Sequence, residues 1–369
     1  MGSSSQGSTL KSRRSFPGAG LLDALAGPHG VDGYLEQLNP TWTLSECRAE
    51  IAEAVRTTPD SVSLKLRPNR AWQGFRPGQF VEVGVVVDGS RRTRCYSPAS
   101  TAAERGALEL TVKSHPGGVV SNYLIENARP GMCVSLSQAG GDFHLPDRRP
   151  DRLLLISAGS GITPTMSMLR TLCAEGHRGP IAFLHYAPDA EHALYRTELE
   201  RIALEHPNVH LVRSYTRDPG AGEEDGHFSR AQVARVEPEF ERAETFACGP
   251  PALLDAVRET WSDGLEKRLH VERFVPLELG DPSEETGGAI HFARAGLQLD
   301  STGGSLLEQA ENAGIPAEYG CRMGICHTCT RRKTAGTVRN VVTGELSSAE
   351  EEDIQLCISA AVGDVVIDL

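Results

Sequence analysis

Four cysteines near the end of the chain constrain its fold more than any other feature. Cys321, Cys326 and Cys329 follow the spacing C-x4-C-x2-C, and Cys357 stands further along in the run IQLCISA. This is the plant-type spacing of a [2Fe-2S] cluster, in which the last thiolate comes from a separate part of the chain. Glycines in the loop allow its backbone to turn around the bridging sulfides. The spacing therefore predicts a centre that moves one electron at a time.

A structural zinc site is the alternative for these cysteines. Zinc ribbons use paired C-x2-4-C knuckles, and here the second knuckle would hold a single cysteine. His327 lies between two of the cysteines, where one tetrahedral ion does not readily bind all three side chains. The ligand spacing favours the iron–sulfur cluster over zinc.

Length and composition narrow the class of protein. A chain of 369 residues is too long for one core, so several domains are expected. With 23% charged residues and a net charge of -12, neither gross disorder nor a basic nucleic-acid surface is indicated. Since no apolar run approaches the roughly 20 residues that span a bilayer, any membrane contact would be peripheral. The other cysteines stand singly and the N-terminus lacks a secretory signal, so we expect a cytoplasmic protein.

Changes in residue pattern divide the chain into five parts. Residues 1–45 form an N-terminal extension of a polar tail and short helices. Residues 46–148 carry short alternating runs between Gly-rich turns, which predicts a small antiparallel β-barrel or sandwich. In residues 149–276 strand-like and helix-like runs alternate, which predicts an α/β domain with a parallel sheet. Residues 277–287 are an acidic linker rich in Gly and Pro, and residues 288–369 form a compact last unit.

Two runs in the barrel region indicate a source of electrons for a cluster. RRTRCYSPAS contains an R-x-Y-S pattern, and HPGGVVSNYL follows it with a G-G-x-x-S turn. Either run alone is more often a β-bulge or a helix N-cap. Taken with the domain order, they resemble the ferredoxin–NADP reductase superfamily. The resemblance implies an FAD-binding barrel, an NAD(P)-binding domain and an α+β ferredoxin domain of the β-grasp type.

The resemblance implies flavin-binding roles for residues of both runs. Arg94 matches the arginine that binds the flavin pyrophosphate, and a planar guanidinium suits that group. Tyr96 matches the tyrosine against the isoalloxazine ring, and Ser97 matches the serine that faces flavin N5. The other expected FAD ligands are Lys113, Gly117, Gly118, Val119, Val120 and Ser121.

The run ISAGSGITPTMSML predicts a nucleotide-binding turn between a strand and a helix. It resembles the G-x-G-x-T-P turn of the same superfamily and differs from the dinucleotide fingerprint G-x-G-x-x-G. Gly159, Gly161 and Pro164 are expected to hold the nucleotide diphosphate near the helix N-terminus. The resemblance implies that Thr163 lies near the nicotinamide.

Two later runs complete the expected site. Cys248, Gly249 and Pro250 follow a predicted strand at the sheet edge where open α/β sheets bind ligands. The resemblance implies that Cys248 lies against nicotinamide C4, and the alternative is a small buried residue at a strand end. Glu272 and Phe274 match the carboxylate and the aromatic residue that border the flavin, and Glu272 is expected to help proton balance.

The choice between the two nicotinamide nucleotides depends on two loops. Thr216 and Arg217 follow the third strand of the nucleotide domain, where NADP-using relatives bind the 2′-phosphate. Pro188 and Asp189 stand where many NADPH enzymes carry another arginine, and an acid there suits a free ribose. The sequence favours NADPH and leaves NADH open.

The resemblance implies one function with two alternatives. NAD(P)H would reduce FAD near the catalytic candidates Ser97, Cys248 and Glu272, and single electrons would pass through the cluster to an acceptor protein. The expected acceptor is a di-iron oxygenase, and a membrane fatty-acyl desaturase is favoured because the chain resembles actinobacterial-type reductases that serve acyl desaturases. The alternatives are a reductase of a soluble aromatic-ring or alkane hydroxylase, and an iron–sulfur binding or sensing module without reductase activity.

Two charge runs in the last unit are candidates for partner recognition. AEEED begins at Ala349, and a basic run of Arg331, Arg332 and Lys333 follows the cysteine loop. Charge complementarity steers redox partners together, although most charge runs are solvated surfaces.

Overall fold

The structure is a computed structural model that describes residues 35, 38–43, 46–104, 106–262, 264–274, 288–320, 322, 324 and 327–369. Most of the predicted N-terminal extension, the predicted linker 277–287, Cys321 and Cys326 lie outside the described residues. Among the described residues, no helix is both long enough and apolar enough to span a membrane.

The first sheet is antiparallel throughout and confirms the predicted barrel. Alternation in its second strand directs Val62, Leu64 and Leu66 into the core. A helix, α1 (Val119–Asn127), adds Val120 and Leu124 to the same core. The strands, in the order β4-β3-β6-β1-β2-β5, are β1 (Arg48–Thr58), β2 (Ser61–Pro68), β3 (Val81–Val87), β4 (Ser90–Tyr96), β5 (Leu108–Lys113) and β6 (Cys133–Leu136).

The second sheet is parallel, as predicted, and has a separate apolar core on each face. All seven residues of β8 are buried, because helices cover both faces. Its strands, in the order β10-β9-β8-β7-β11-β12, are β7 (Leu153–Ala158), β8 (Ile181–Ala187), β9 (Val209–Tyr215), β10 (Glu224–Asp225), β11 (Glu244–Gly249) and β12 (Leu269–Arg273). Its helices are α2 (Ile162–Ala174), α3 (Arg196–Glu205), α4 (Arg230–Val236) and α5 (Pro251–Thr260).

The third sheet is mixed and confirms the predicted α+β unit. Strands β13 and β18 run parallel, whereas the other pairs are antiparallel. The helix α6 (Leu306–Asn312) packs Leu306, Leu307 and Ala310 into a core that includes Cys329 and Cys357. The strands are β13 (Ala289–Phe292), β14 (Leu297–Asp300), β15 (Thr330–Asn340), β16 (Leu346–Ser347), β17 (Glu352–Gln355) and β18 (Ser359–Ile367).

Helix α2 connects the first unit to the second through side-chain hydrogen bonds and an ion pair. Three of its side chains bind the backbone that follows β4: Ser167 donates to Ser100 O at 2.8 Å, Arg170 donates to Ala99 O at 2.7 Å, and Thr171 accepts from Ala102 N at 3.2 Å. Arg170 also pairs with Glu109 of β5 at 3.1 Å. The hydroxyl of Tyr195, a residue with a φ of 57°, is hydrogen-bonded to Thr111 of the same strand. The flavin-side and nucleotide-side elements are thus held in one arrangement.

Two residues of the basic run and two of the acidic run lie opposite each other on neighbouring strands. In the antiparallel register of β15 and β17, Arg332 is opposite Asp353 and Lys333 is opposite Glu352. The Nε atom of Arg332 lies 2.9 Å from Asp353, and the fully buried Lys333 lies 3.9 Å from Glu352 while it donates to Gly336 O at 3.0 Å. At these positions the charged side chains pair with each other inside the unit.

Candidate flavin, nucleotide and iron-sulfur sites

The end of β4 opens into a cavity of about 290 Å³ that is lined by residues from all three units. Arg94 and Tyr96 lie opposite Val83 and Val81 of β3, and this register aims them at the cavity wall. The residues that line the cavity are Arg94, Cys95, Tyr96, Ser97, Thr111, Lys113, His115, Pro116, Gly117, Gly118, Ser121, Ser160, Thr163, Phe274 and Arg322.

Two buried hydroxyl groups in this cavity fit a bound polar ligand. The Oη atom of Tyr96 and the Oγ atom of Ser97 are buried, and neither has a hydrogen-bond partner among the described residues. An unsatisfied buried hydroxyl costs about 1–3 kcal/mol, so a ligand with polar ring atoms would remove a real penalty. Burial also raises the pKa of Tyr96, which keeps its phenol protonated. These atoms, together with the arginine of β4, fit a flavin nucleotide.

The turn before α1 has the backbone shape of an anion-binding site. Gly117 has a φ of 72°, and a Cβ on Gly118 would overlap the hydroxyl of Ser121. Gly118 is the N-cap of α1 and offers no side-chain cap, which leaves the helix N-terminus available to a phosphate. Val120 is buried in the barrel core and the exposed Val119 lines neither cavity, so these two predicted ligands have only backbone atoms to offer.

A second cavity, of about 700 Å³, lies at the carboxyl ends of the parallel strands. Gly159 and Gly161 form a 3-10 turn between β7 and α2, and both line this cavity with Gly249 and Pro250. A Cβ on Gly161 would overlap the carbonyl group of Cys248, so the glycine allows the two turns to touch. The structure therefore brings together most of the predicted nucleotide residues.

Not every predicted nucleotide residue lines the larger cavity. Thr163 lines the flavin cavity and donates its hydroxyl to Ser160 O at 3.2 Å. Pro164 is buried in the first turn of α2. Cys248 is fully buried in the core and lines neither cavity, so its contact with a nicotinamide stays a prediction.

The loops after β8 and β9 meet at the outer end of the larger cavity. Thr216 N donates to Ala187 O at 3.0 Å, and Arg217 N donates to Pro188 O at 2.8 Å. Thr216 and Pro188 line the cavity, whereas Arg217 is exposed at its rim. Asp189 accepts from His192 Nδ1 at 2.8 Å, and this hydrogen bond lowers the pKa of the carboxyl group. The Asp189 carboxylate is thus held by its own loop.

Sequence reasoning missed three aromatic residues of the larger cavity. Tyr186, His227 and Phe228 line it, and the rings of Tyr186 and Phe228 meet edge to face with centroids 6.3 Å apart. Tyr186 also donates to Gln232 at 2.6 Å, which fixes its ring. The available signal was the position of Tyr186 at the carboxyl end of a buried parallel strand. These rings offer flat surfaces for a base.

A row of polar side chains crosses the second sheet near these cavities. Glu272, Cys248, Ser157 and His185 occupy matching positions on four adjacent strands. Burial, reinforced by the Glu272 charge, raises the pKa of Cys248, so its thiol stays protonated. The Ser157 hydroxyl lies 2.9 Å from His185 Nδ1 inside the core, and burial lowers the pKa of His185 to about 3.

The buried His185 predicts acid sensitivity of the fold. Between its unfolded pKa of about 6.5 and its folded pKa of about 3, only the unfolded chain binds the proton, so stability falls as pH falls by up to about 1.4 kcal/mol per pH unit. His185→Asn, which can keep the bond to Ser157, is expected to flatten this slope in chemical unfolding followed by tryptophan fluorescence. The exposed His291→Asn is the control, and equal slopes in wild type and His185→Asn would contradict the prediction.

The cluster loop packs against the element that carries the fourth cysteine. Cys329 is 1% exposed, Cys357 is 8% exposed, and Cys357 N donates to Cys329 Sγ at 3.5 Å. Gly324 has a φ of 79°, and its carbonyl accepts from Gln355 at 2.7 Å. Thiol ligands with a backbone N–H directed at sulfur fit an iron–sulfur centre. Among the described residues there is no metal-binding group of three or more Cys, His, Asp or Glu, and two of the four predicted ligands lie outside them.

The same loop contacts the first sheet. Thr328, next to Cys329, donates to Glu82 of β3 at 2.8 Å. Arg92 of β4 donates to the hydroxyl of Tyr319 at 3.0 Å. The described part of the cluster loop, which includes Cys329, is therefore in contact with β3, and Tyr319 is in contact with β4, the strand that carries Arg94 and Tyr96.

Comparison with known proteins agrees with this geometry. Family models match residues 48–145 (oxidoreductase FAD-binding domain), 155–259 (oxidoreductase NAD-binding domain) and 291–362 (2Fe-2S iron-sulfur cluster binding domain). An NADPH oxidoreductase of Mycobacterium tuberculosis is 36% identical over 344 residues, covering 92% of this chain and 88% of that protein. A glycine betaine monooxygenase reductase subunit of Pseudomonas aeruginosa is 30% identical, covering 80% and 87%.

A solved structure shares the whole architecture. Phthalate dioxygenase reductase, described as a modular structure for electron transfer from pyridine nucleotides to [2Fe-2S], is 26% identical. It matches with a TM-score of 0.59 over 87% of this chain and 97% of that one. The chain therefore belongs to the three-domain ferredoxin reductase family and is an NAD(P)H oxidoreductase that uses FAD and a [2Fe-2S] cluster.

Proposed function

We propose that this chain is the NADPH-dependent reductase component of an oxygen-activating enzyme. The observation that carries the proposal is the flavin cavity, because residues of all three units line it and it shares Lys113, His115, Ser160 and Phe274 with the nucleotide cavity. A bound flavin supplies the conversion between a two-electron hydride donor and a one-electron acceptor. In this proposal the sites for donor, flavin and cluster adjoin one another.

Each predicted flavin residue has a distinct proposed task. Arg94 would bind the FAD pyrophosphate with the turn at Gly117 and Gly118, and Tyr96 would cover the ring against water. The Ser97 hydroxyl, buried without a partner among the described residues, would donate to a ring nitrogen. Glu272, which is 5% exposed, would hold a proton near the flavin.

We propose NADPH as the donor, with Thr216 and Arg217 at its 2′-phosphate. The exposed guanidinium of Arg217 follows the cavity residue Thr216 directly, and the competing carboxylate of Asp189 is bound by His192. The relative from Mycobacterium tuberculosis is an NADPH oxidoreductase, which supports the same choice.

Arg217→Ala is expected to weaken the binding of NADPH but not the binding of NADH. Loss of a charge-assisted hydrogen bond should raise the KM for NADPH by roughly ten- to a hundredfold. Stopped-flow reduction of the flavin by each nucleotide measures the effect, and the exposed Arg201→Ala on α3 serves as control. Equal losses with NADPH and NADH would refute the phosphate role.

We propose that the electron acceptor is a di-iron oxygenase. The preferred candidate is a membrane fatty-acyl desaturase. In that case the chain would work in the cytoplasm beside a membrane-bound partner. The resemblance to reductases of acyl desaturases supports this choice. A soluble monooxygenase is the second candidate, favoured by the name of the glycine betaine monooxygenase reductase subunit.

A reconstitution assay tests the proposal. The purified chain, loaded with flavin and cluster, is mixed with NADPH and either a desaturase in vesicles or a soluble oxygenase. Oxygen use that depends on the organic substrate is expected with one acceptor. Rapid flavin reduction without electron delivery to any oxygen-activating enzyme would overturn the proposal.

A further inference from the structure

Arg322 lines the flavin cavity although it belongs to the C-terminal unit. It directly follows Cys321, a predicted ligand of the cluster. The other residues that line this cavity come from the first two sheets and their loops. A cation from the cluster loop therefore stands at the wall of the site that holds the flavin.

The guanidinium of Arg322 is fixed on two sides. Its central carbon lies 4.1 Å from the centre of the Tyr319 ring, and an Nη atom pairs with Glu311 of α6. The Tyr319 hydroxyl in turn accepts from Arg92 of β4. Arg322 itself has a φ of 61°, so the backbone adopts an uncommon conformation to bring this side chain to the cavity.

One buried donor of Arg322 has no protein partner among the described residues. This donor is the Nε atom of the side chain. A buried donor on a charged group is costly when it is unpaired. Tyr96 and Ser97, which line the same cavity, also carry buried hydroxyls without partners among the described residues, so three such polar groups belong to residues of two units that line one cavity.

We propose that Arg322 completes the FAD site from the ferredoxin unit, with its Nε–H donated to a polar atom of the bound flavin. This inference rests on the proposed placement of FAD in the cavity. Because the contact joins two units, FAD binding and docking of the cluster loop stabilise each other by the same free energy. Bound FAD then stabilises the contact between the flavin and ferredoxin units.

Arg322→Met in the full chain tests the contact. The dissociation constant of FAD, measured by fluorescence titration of flavin-depleted protein, should rise roughly tenfold for one lost charge-assisted bond. In wild type, FAD should slow hydrogen exchange in residues 327–340, and this protection should be lost in Arg322→Met. Iron content and the electron paramagnetic resonance spectrum of the reduced cluster should not change.

A matched control separates the contact from the loss of a charge elsewhere in the unit. Arg294→Met removes another arginine–carboxylate pair of the same unit, with Asp368, and should leave FAD affinity at the wild-type value. Equal FAD affinity and equal FAD-dependent protection in wild type and Arg322→Met would overturn the inference.

If Arg322→Met loses its iron, the contact is tested with Arg322→Lys instead. Lysine keeps the positive charge but lacks a donor at the Nε position. Weaker FAD binding with a full complement of iron then supports the contact, and unchanged binding overturns it. NADPH reduction of the flavin in wild type tests the proposed function separately, since that step does not involve Arg322.

Discussion

Replacing Cys357 with alanine is expected to remove the [2Fe-2S] cluster and all electron delivery to an acceptor protein, while NADPH still reduces the flavin. Cys357 lies in the short 3-10 turn between β17 and β18, and its N–H is directed at the sulfur of Cys329. Alanine cannot ligate iron, and three thiolates leave one iron incompletely bound. Iron analysis and electron paramagnetic resonance of the dithionite-reduced protein measure the loss.

The matched control is Cys173→Ser on α2. Burial raises the pKa of the Cys173 thiol to about 11, so it is an inert protonated group away from the cluster loop. This variant should keep its iron and its electron delivery. Full iron content in Cys357→Ala would remove Cys357 from the ligand set, and zinc without iron in the wild type would support the zinc alternative.

Gly161→Ala is expected to lower kcat/KM for NADPH by about 100-fold, because a displacement of about 1 Å at a catalytic turn costs that much. A Cβ at this position would overlap the Cys248 carbonyl and come within 2.8 Å of Gly249 N. Both neighbours are backbone atoms of β11, so either the turn or the strand must move. Stopped-flow flavin reduction over a range of NADPH concentrations measures the effect.

Gly176→Asn at the other end of α2 is the control for glycine replacement. Gly176 has a φ of 69° and open space around it, and asparagine tolerates this conformation. Its activity should match wild type. The iron content of Gly161→Ala should be retained, since the third sheet does not contain the turn, and an unchanged kcat/KM would show that the two turns need not touch.

Local sequence patterns predicted the parts of the site in which neighbours along the chain share one task. The cysteine spacing gave the cluster loop, and a strand, two glycines and a helix gave the nucleotide turn. In the loop and in the turn most of the required residues lie close together in the sequence, so a local pattern indicates them, whereas Cys357 comes from a separate element. The alternating runs of β1–β6 and the buried runs of β7 and β8 predicted their sheets for the same reason.

Contacts between distant parts of the chain could not be predicted in this way. Nothing in the sequence around Arg322 indicates that it reaches the flavin cavity, because its position depends on Tyr319 and Arg92. The pairing of Arg332 with Asp353 likewise depends on the register of two strands. Side-chain partners across sheets follow from tertiary structure, and a single sequence does not encode them as a local pattern.

Among the described residues, the flavin unit forms more hydrogen bonds with the nucleotide unit than with the ferredoxin unit, and this difference matters for the design of chimeric proteins. Helix α2 and Tyr195 bind the first sheet through six hydrogen bonds, whereas Arg92–Tyr319 and Thr328–Glu82 are the two direct hydrogen bonds between the first sheet and the described part of the ferredoxin unit. A foreign flavin domain joined to this nucleotide domain would lack the partners for these hydrogen bonds. A foreign ferredoxin needs only a hydroxyl for Arg92, a donor for Glu82 and an arginine after its first cysteine, so new electron acceptors are most readily gained by exchanging the last module.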